Sequence, residues 1–467
     1  MSKRGSSKKR NFGPMLERTV ENAQIRLLAT RYDLSSDSVL AGEIVRYVNQ
    51  RLDEEEKARG VVRVRPGELF LKTPHGDLIL PLRTQAEIEN SISGERFPSI
   101  RDRIIDKCVS SYKRLFSDCG AVREEPLSWD VEKLRRALLP SHGFFKNYGA
   151  GEGIHRIPIC RKRYGPVNEE EMVELLKDTQ PPYTKQPSSL SSSSVHFCNQ
   201  ELFHGVESKK DIVNFLGNEA GVPPAVREAM FLDLARLRSH FCPLADSLRS
   251  GQMPLVSMHV KAGRRLELPT RLQPLAPVVV TLITAEEFEK LGAKSTFQYE
   301  ELMALHARRM ARVLVEAYQQ DGLICYSELQ WCFLMSSNTI GRILGWYQRK
   351  HNVILPSPGT VLDMGRMLTH KDIIVRLHLE GLTVLEISRQ TYHAPRSVDA
   401  YLKVFDSVLI LHLYGLPKAL MARVLSRGVS LIEEYLELIK DNLKEVKEIR
   451  EYLHHRGVKL PMGLMAS

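Results

Sequence analysis

The stretch "GLTVLEISRQTYHAPRSVDAYLKVF", residues 381–405, reads as two short amphipathic helices divided by a break that ends in proline. Gly381 permits a sharp bend after "HKDIIVRLHLE", and Leu382, Leu385 and Ile387 supply apolar positions for the first helix. The segment "TYHA" ends that helix. Pro395 suits the opening turn of the next one, where its missing N–H costs nothing. Val398, Leu402 and Phe405 then recur at i, i+4 and i+7, a stripe that faces a core. Arg396, Ser397, Asp399 and Lys403 are left on the outward side, where the second helix of a helix-turn-helix unit meets bases and phosphates.

The pattern returns. "GLPKALMARVLSRGVSLIEEYLELI" begins at Gly415, and an offset of 34 residues aligns Gly381 with Gly415, Leu382 with Leu416, Arg389 with Arg423, Tyr401 with Tyr435 and Leu402 with Leu436. Upstream, "YSELQWCFLMSSNTIGRILGWYQRK" gives a third version broken by "MSSN", a natural N-cap. There Ile340, Ile343 and Leu344 make the buried face, while Thr339, Arg342, Arg349 and Lys350 point away. "NVILPSPGTVLDMG" follows and is expected to form a small strand-turn-strand wing. An offset of 34 residues is also the length of a common helical-hairpin repeat, but the upstream version does not keep that period. DNA binding is therefore favoured over plain packing for residues 318–405. The last unit exposes Glu433, Glu434 and Glu437 where phosphates would stand, so it is expected to be a packing or dimer-forming element.

Working outward, the fold class is mainly α with small β elements, multi-domain, with a C-terminal array of helix-turn-helix units. A basic disordered tail covers 1–14, an N-terminal α+β domain 15–140, an irregular region with a Ser/Pro-rich linker 141–200, a middle α+β domain 201–298 and the helical domain 299–467. In the first domain "SVLAGEIVRYVNQRLDEEEKA" sets Val39, Ile44, Val48 and Leu52 near helical spacing, and "ELFLKTPHGDLILPL" reads as a hairpin. "SIRDRIIDKCVSSYKRLF" returns to helical period with Arg101, Arg103, Lys107, Lys113 and Arg114 on its polar positions.

The whole chain carries 66 Lys+Arg against 56 Asp+Glu, a formal charge of +10, which favours an anionic partner. Its longest apolar run, "APVVVTLI", is strand-sized, so no membrane span is expected and a cytoplasmic protein is. Seven cysteines, an odd number, suit reduced thiols. "HFC" occurs twice, giving His196, Cys198, His240 and Cys242 as metal candidates, but the spacing matches no common zinc finger or ribbon and ordinary packing is preferred. "GAGEGIH" lacks the phosphate-loop lysine and reads as a loop, and no nucleophile-elbow or zinc-protease motif is present. No cofactor is expected.

The segments "VVVTLITAEEFE", "RRMARVLVEAYQQDGLICYSELQWCFLMSSNTIGRIL" and "GTVLDMGRMLTHKDIIVRLHLEGLTVLEISRQTYHAPRSVDAYLKVFDSV" carry a resemblance. From about residue 200 to 440 the chain resembles a bacterial and archaeal group catalogued as domain of unknown function 1670. The resemblance implies a protein containing a helix-turn-helix and names no substrate. Pro358-Gly359 stands where the group's pattern has Arg-Gly, which removes the basic residue from the expected wing tip.

These readings lead to a non-enzymatic, sequence-directed DNA-binding protein of the transcriptional-regulator kind, with double-stranded DNA as partner and a homodimer left open. Two alternatives stand beside it: a transposase or recombinase of mobile DNA, whose chemistry needs gathered acids, and a helical interaction module.

Overall fold

The computed structural model describes residues 12–35, 37–73, 76–118, 134, 165–166, 207–262, 273–293, 299–351, 353–362, 371–443, 446–455 and 457–458. Helix predominates among them, beside a small antiparallel sheet and one short parallel strand pair, as expected of a mainly α chain with small β elements. The basic tail through Asn11, nearly all of the 141–200 region with its linker and glycine loop, and His196 and Cys198 lie outside the described residues. The chain forms two compact units, Met1–Pro158 with Glu169–Lys350, and Ile159–Asn168 with His351–Ser467. The expected helical domain 299–467 is thus divided after Lys350.

The first unit opens with helix α1 at residues 12–16, which overlaps the last three residues of the stretch expected as tail. Phe12 is apolar and buries its ring edge-on to Trp331, centroids 6.0 Å apart. Helix α2 (Val20–Arg31) starts at Thr19, whose hydroxyl accepts the Asn22 N–H at 3.1 Å. Helix α3 (Ser38–Ala58) starts likewise at Asp37. Ile44, Val48 and Leu52 are buried at helical spacing, whereas Val39, five residues before Ile44, falls off the stripe and is exposed.

Strands β1 (Glu68–Thr73) and β2 (Gly76–Pro81) form the expected hairpin, in register from Glu68 opposite Pro81 to Thr73 opposite Gly76. Helices α4 (Gln85–Ile92) and α5 (Phe97–Asp118) follow. Arg103 and Lys107 of α5 both bond the buried Glu87 of α4. Arg101, expected on the polar face, is instead buried, because its position three and four residues before Ile104 and Ile105 lies on the apolar stripe. Strand β3 (Gly165–Pro166) belongs to the second unit. Helices α6 (Glu207–Asn218) and α7 (Pro224–Phe241) close on α2 and α3 around Leu28, Ile44, Val48, Leu216, Phe231 and Leu234.

Strands β4 (Gln252–His259) and β5 (Leu275–Thr281) extend the hairpin into one sheet, in the order β2-β1-β4-β5, with the short β6 (Gly322–Leu323) pairing the far end of β4. One sheet therefore crosses the expected division between residues 15–140 and 201–298. Helices α8 (Ala285–Ala293), α9 (Tyr299–Gln319), α10 (Tyr326–Cys332) and α11 (Ser337–His351) complete the unit.

An edge strand leaves backbone groups unpaired, and those of β5 and the residue after it are met by side chains from α9 and its C-terminal extension. Gln320 takes both polar groups of Val279, Glu316 accepts the Thr281 N–H, Arg312 donates to the Thr281 carbonyl, and Arg309 donates to that of Leu282. Arg312 also forks onto both oxygens of Glu287 at 2.7 Å each. Burial pushes the Glu287 carboxyl up, but the Arg312 bonds and charge outweigh it and hold the group below its ordinary range.

In the second unit, strand β7 (Val353–Ile354) pairs in parallel with β3 and is followed by a short helix α12 (Pro358–Val361). The expected strand-turn-strand wing is absent from these described residues. Ser357 caps the Thr360 N–H and Pro358 takes the first helical position, so the sequence after β7 turns into helix. Helices α13 (Lys371–Leu379), α14 (Val384–Thr391), α15 (Pro395–Leu413), α16 (Lys418–Val424), α17 (Val429–Asn442) and α18 (Val446–His455) follow. Gly381 (φ 95°) ends α13 in a left-handed turn, with Leu382 N–H bonded to the Leu377 carbonyl and Gly381 N–H to that of His378. Gly415 (φ 66°) ends α15 by the same two bonds, to Leu411 and His412.

Candidate nucleic-acid interface

Helices α13, α14 and the first half of α15 close around Ile373, Ile374, Leu377, Ile387, Val398 and Leu402. Val398, Leu402 and Phe405 are buried as their spacing requires. Leu385 is 59% exposed, contrary to expectation, because a helix of eight residues has room for a narrow stripe only, and Ile387 with the flanking Leu382 and Val384 fills it.

The turn between α14 and α15 is fixed locally. Thr383 and Glu386 cap the start of α14 reciprocally: the Thr383 hydroxyl accepts the Glu386 N–H at 3.3 Å and Glu386 accepts the Thr383 N–H at 2.7 Å. The Thr383 N–H, and then its hydroxyl, which also donates to Glu386 at 2.8 Å, hold the Glu386 carboxyl below its ordinary range. At the other end Tyr392 takes a left-handed conformation, φ 57°, and the Ser388 hydroxyl donates to the His393 carbonyl at 2.6 Å. Pro395 occupies the first turn of α15, as read from the sequence.

On this frame Arg396 is exposed, and its side chain makes no hydrogen bond or ion pair with another described residue. Ser397 beside it is half-buried. Lys403, 72% exposed, reaches back to Asp399 at 2.7 Å. An exposed pair one turn apart is worth only about 0.3–0.5 kcal/mol, so a phosphate can displace Asp399.

The upstream residues are placed differently. Ser336 caps α11 through the Thr339 N–H at 3.2 Å, and the two hydroxyls lie 2.8 Å apart, so Thr339 is occupied in the cap. Arg342 is exposed. Arg349 folds back along its own helix, where its Nη1 comes within 3.4 Å of a Cβ placed on Gly345. Lys350 lies over the Trp346 ring, 4.7 Å from its centroid. Buried residues on α11 include Tyr347 and Gln348 as well as Ile340, Ile343 and Leu344, so the helix turns a broad face inward. These residues belong to the first unit, and Arg396, Ser397 and Lys403 to the second.

In the last helix pair Glu433 is ion-paired with Lys418, and Glu434 accepts from Lys371 at 2.6 Å. The carboxylates expected to stand free are thus partly neutralised, while Ile432, Tyr435 and Ile439 of α17 bury against Phe405 and Leu409 of α15. Among the described residues no group of three or more histidines, cysteines or acids is arranged to hold a metal ion. His240 is exposed and Cys242 is buried, its thiol pushed up to about 12 by burial, as fits a protonated core thiol.

The turn-fixing residues escaped the sequence reading although one signal was present: T-x-x-E at Thr383–Glu386 is a capping-box signature. The Ser388 bond to His393 and the stacking of Lys350 on Trp346 have no comparable signature.

Residues 222–438 match the model of a family described as a protein of unknown function, DUF1670. The match runs from the start of α7 into α17 and includes both candidate reading helices, so the family resemblance holds over this segment. No curated protein and no solved structure matches the chain. No helix among the described residues is long and apolar enough to cross a membrane.

Proposed function

We propose that this chain is a cytoplasmic, sequence-directed DNA-binding protein of the transcriptional-regulator kind, in which α14 and α15 act as a helix-turn-helix and α15 enters the major groove. The observation that carries the reading is Arg396. An exposed arginine with no ion pair to another described residue, in the first turn of a helix whose entry is fixed by Pro395 and the Ser388 bond, can meet an outside partner without breaking an existing contact. Its planar fork suits the O6 and N7 of guanine, while Ser397 and Lys403 fit phosphate contacts nearby.

In α11 the exposed Arg342 is the residue for a second contact, because Thr339 is engaged with the Ser336 cap and Lys350 lies over the Trp346 ring. Selection of bound sequences from random duplex DNA at physiological salt tests the proposal. Enrichment of a defined motif by the parent chain, lost in R396A, is the expected result. A protein attracted by net charge alone enriches none, and that result would falsify the reading.

A further inference from the structure

Beside the sheet of the first unit lies a cavity of about 730 Å³, within the size range of small-molecule sites. Six basic side chains line it against four acidic ones, so its walls carry a surplus of positive charge. Two of the six basic residues converge on one carboxylate. Arg18 and Arg83, each at least nine-tenths buried, both turn Nη1 toward a single oxygen, Glu328 Oε1, at 2.9 and 3.7 Å. Neither Nη1 has an aligned hydrogen-bond acceptor. The single charge of Glu328 faces two guanidinium charges, and its other oxygen accepts the Cys325 N–H at 2.8 Å as part of the cap of α10.

Two other guanidinium groups line the same cavity with their charges already met. Arg63 bonds Glu56, and Arg238 bonds Glu56 and Asp53 at 2.7 Å each. The contrast matters, since Arg63 and Arg238 meet two carboxylates between them, whereas Arg18 and Arg83 share one carboxylate oxygen. Burying an uncompensated guanidinium is costly, and a bound anion removes that cost. Arg83 is also fixed in place: its N–H bonds the Gly67 carbonyl at 3.0 Å, and a Cβ on Gly67 would lie 2.4 Å from the Arg83 carbonyl oxygen. Met15, Leu16, Val20, Ile88 and Val256 supply apolar wall.

We propose that this cavity binds a small organic anion, its carboxylate or phosphate head at Arg18 and Arg83 and its apolar body against Val20, Ile88 and Val256. The site is independent of DNA binding and stands whether or not α15 reads DNA. Calorimetric titration of the full chain with hexanoate, hexyl phosphate and hexylammonium tests it. Both anions bind and the cation does not, and the tighter anion identifies the head group.

R83M lowers anion affinity by about tenfold or more, the loss of a charge-assisted contact. Val62, 54% exposed and at the cavity lining, offers a variant that leaves the core intact. V62E sets a negative charge at the mouth and weakens both anions several-fold, with the circular dichroism of the parent. Failure of both anions to bind, hexylammonium binding as tightly as they do, or parental anion affinity in V62E or in folded R83M each overturns the proposal.

Discussion

The Tyr435 hydroxyl donates to the backbone carbonyl of Tyr401 at 3.3 Å, joining two positions that the 34-residue offset in the sequence sets in correspondence. The two helix pairs are therefore not independent beads. The second of them docks on α15 of the first, with the Tyr435 and Phe405 rings 6.4 Å apart. Burial pushes the Tyr435 phenol well above its ordinary range, so it donates throughout the working pH range.

Tyr435 then separates hydroxyl from ring. Y435F removes one long hydrogen bond and is expected to cost about 0.5–1.5 kcal/mol. Y435A also empties the core between α15 and α17, at about 3–5 kcal/mol. Urea denaturation of both variants checks the order; equal losses would mean that the hydroxyl, not the ring, joins the pairs.

The edge of β5 gives a second test. R312M leaves Glu287 charged and buried without its fork, and is expected to cost about 3–5 kcal/mol. Adding E287L removes the stranded charge and should restore part of that loss, which thermal unfolding of the single and double variants measures.

Those two regions mark what was legible in the sequence. Val398, Leu402 and Phe405 could be read because a long helix repeats its stripe and every pair is local. The hairpin at Thr73–Gly76 could be read for the same reason. Arg312 and Thr281, or Arg18 and Arg83, meet only through the tertiary fold, and no spacing announces them. Arg101 differs from expectation because its place on the apolar stripe outweighs its charge, and the expected wing because Ser357-Pro358 is a helix start as readily as a turn.

Two glycines with similar backbone angles differ in surroundings. Gly381, φ 95°, has nothing within 4 Å of an added Cβ, so G381A carries only the left-handed cost of about 1–2 kcal/mol. Gly251, φ 88°, would bring the same Cβ to 1.6 Å from the Ile283 carbonyl oxygen and force the strand ends apart. G251A should therefore be much the more damaging, and comparison of their melting temperatures with the parent decides it.

Glu87 predicts an acid response. Hydrogen bonds from Arg103, and then Lys107, outweigh burial and hold its carboxyl at about 2, below the ordinary 4.5. A depressed folded-state value means stability fully present above the ordinary value and lost as pH falls toward the folded one. Between about pH 4.5 and 2 the parent should lose this contribution, and E87Q, already without it, should show a flatter stability profile in that window.

The last prediction ranks the exposed charges of the second unit. Arg396 has no ion-pair partner to give up among the described residues, so R396A should cost roughly 1–3 kcal/mol of binding to the selected motif and relax preference at one base pair. Lys403 must first leave Asp399, so K403A should cost less, with the loss spread over all sequences and a shallower salt dependence. Glu433 faces Lys418 on the pair that packs against α15. E433A therefore frees a lysine without touching the reading helix, and affinity should stay level or rise slightly. Fluorescence anisotropy on the selected duplex and on a scrambled one, at two salt concentrations, reads all three variants. If R396A binds like the parent while changes around Glu433 abolish recognition, α17 is the reading helix and the segment at 381–405 serves only as its core.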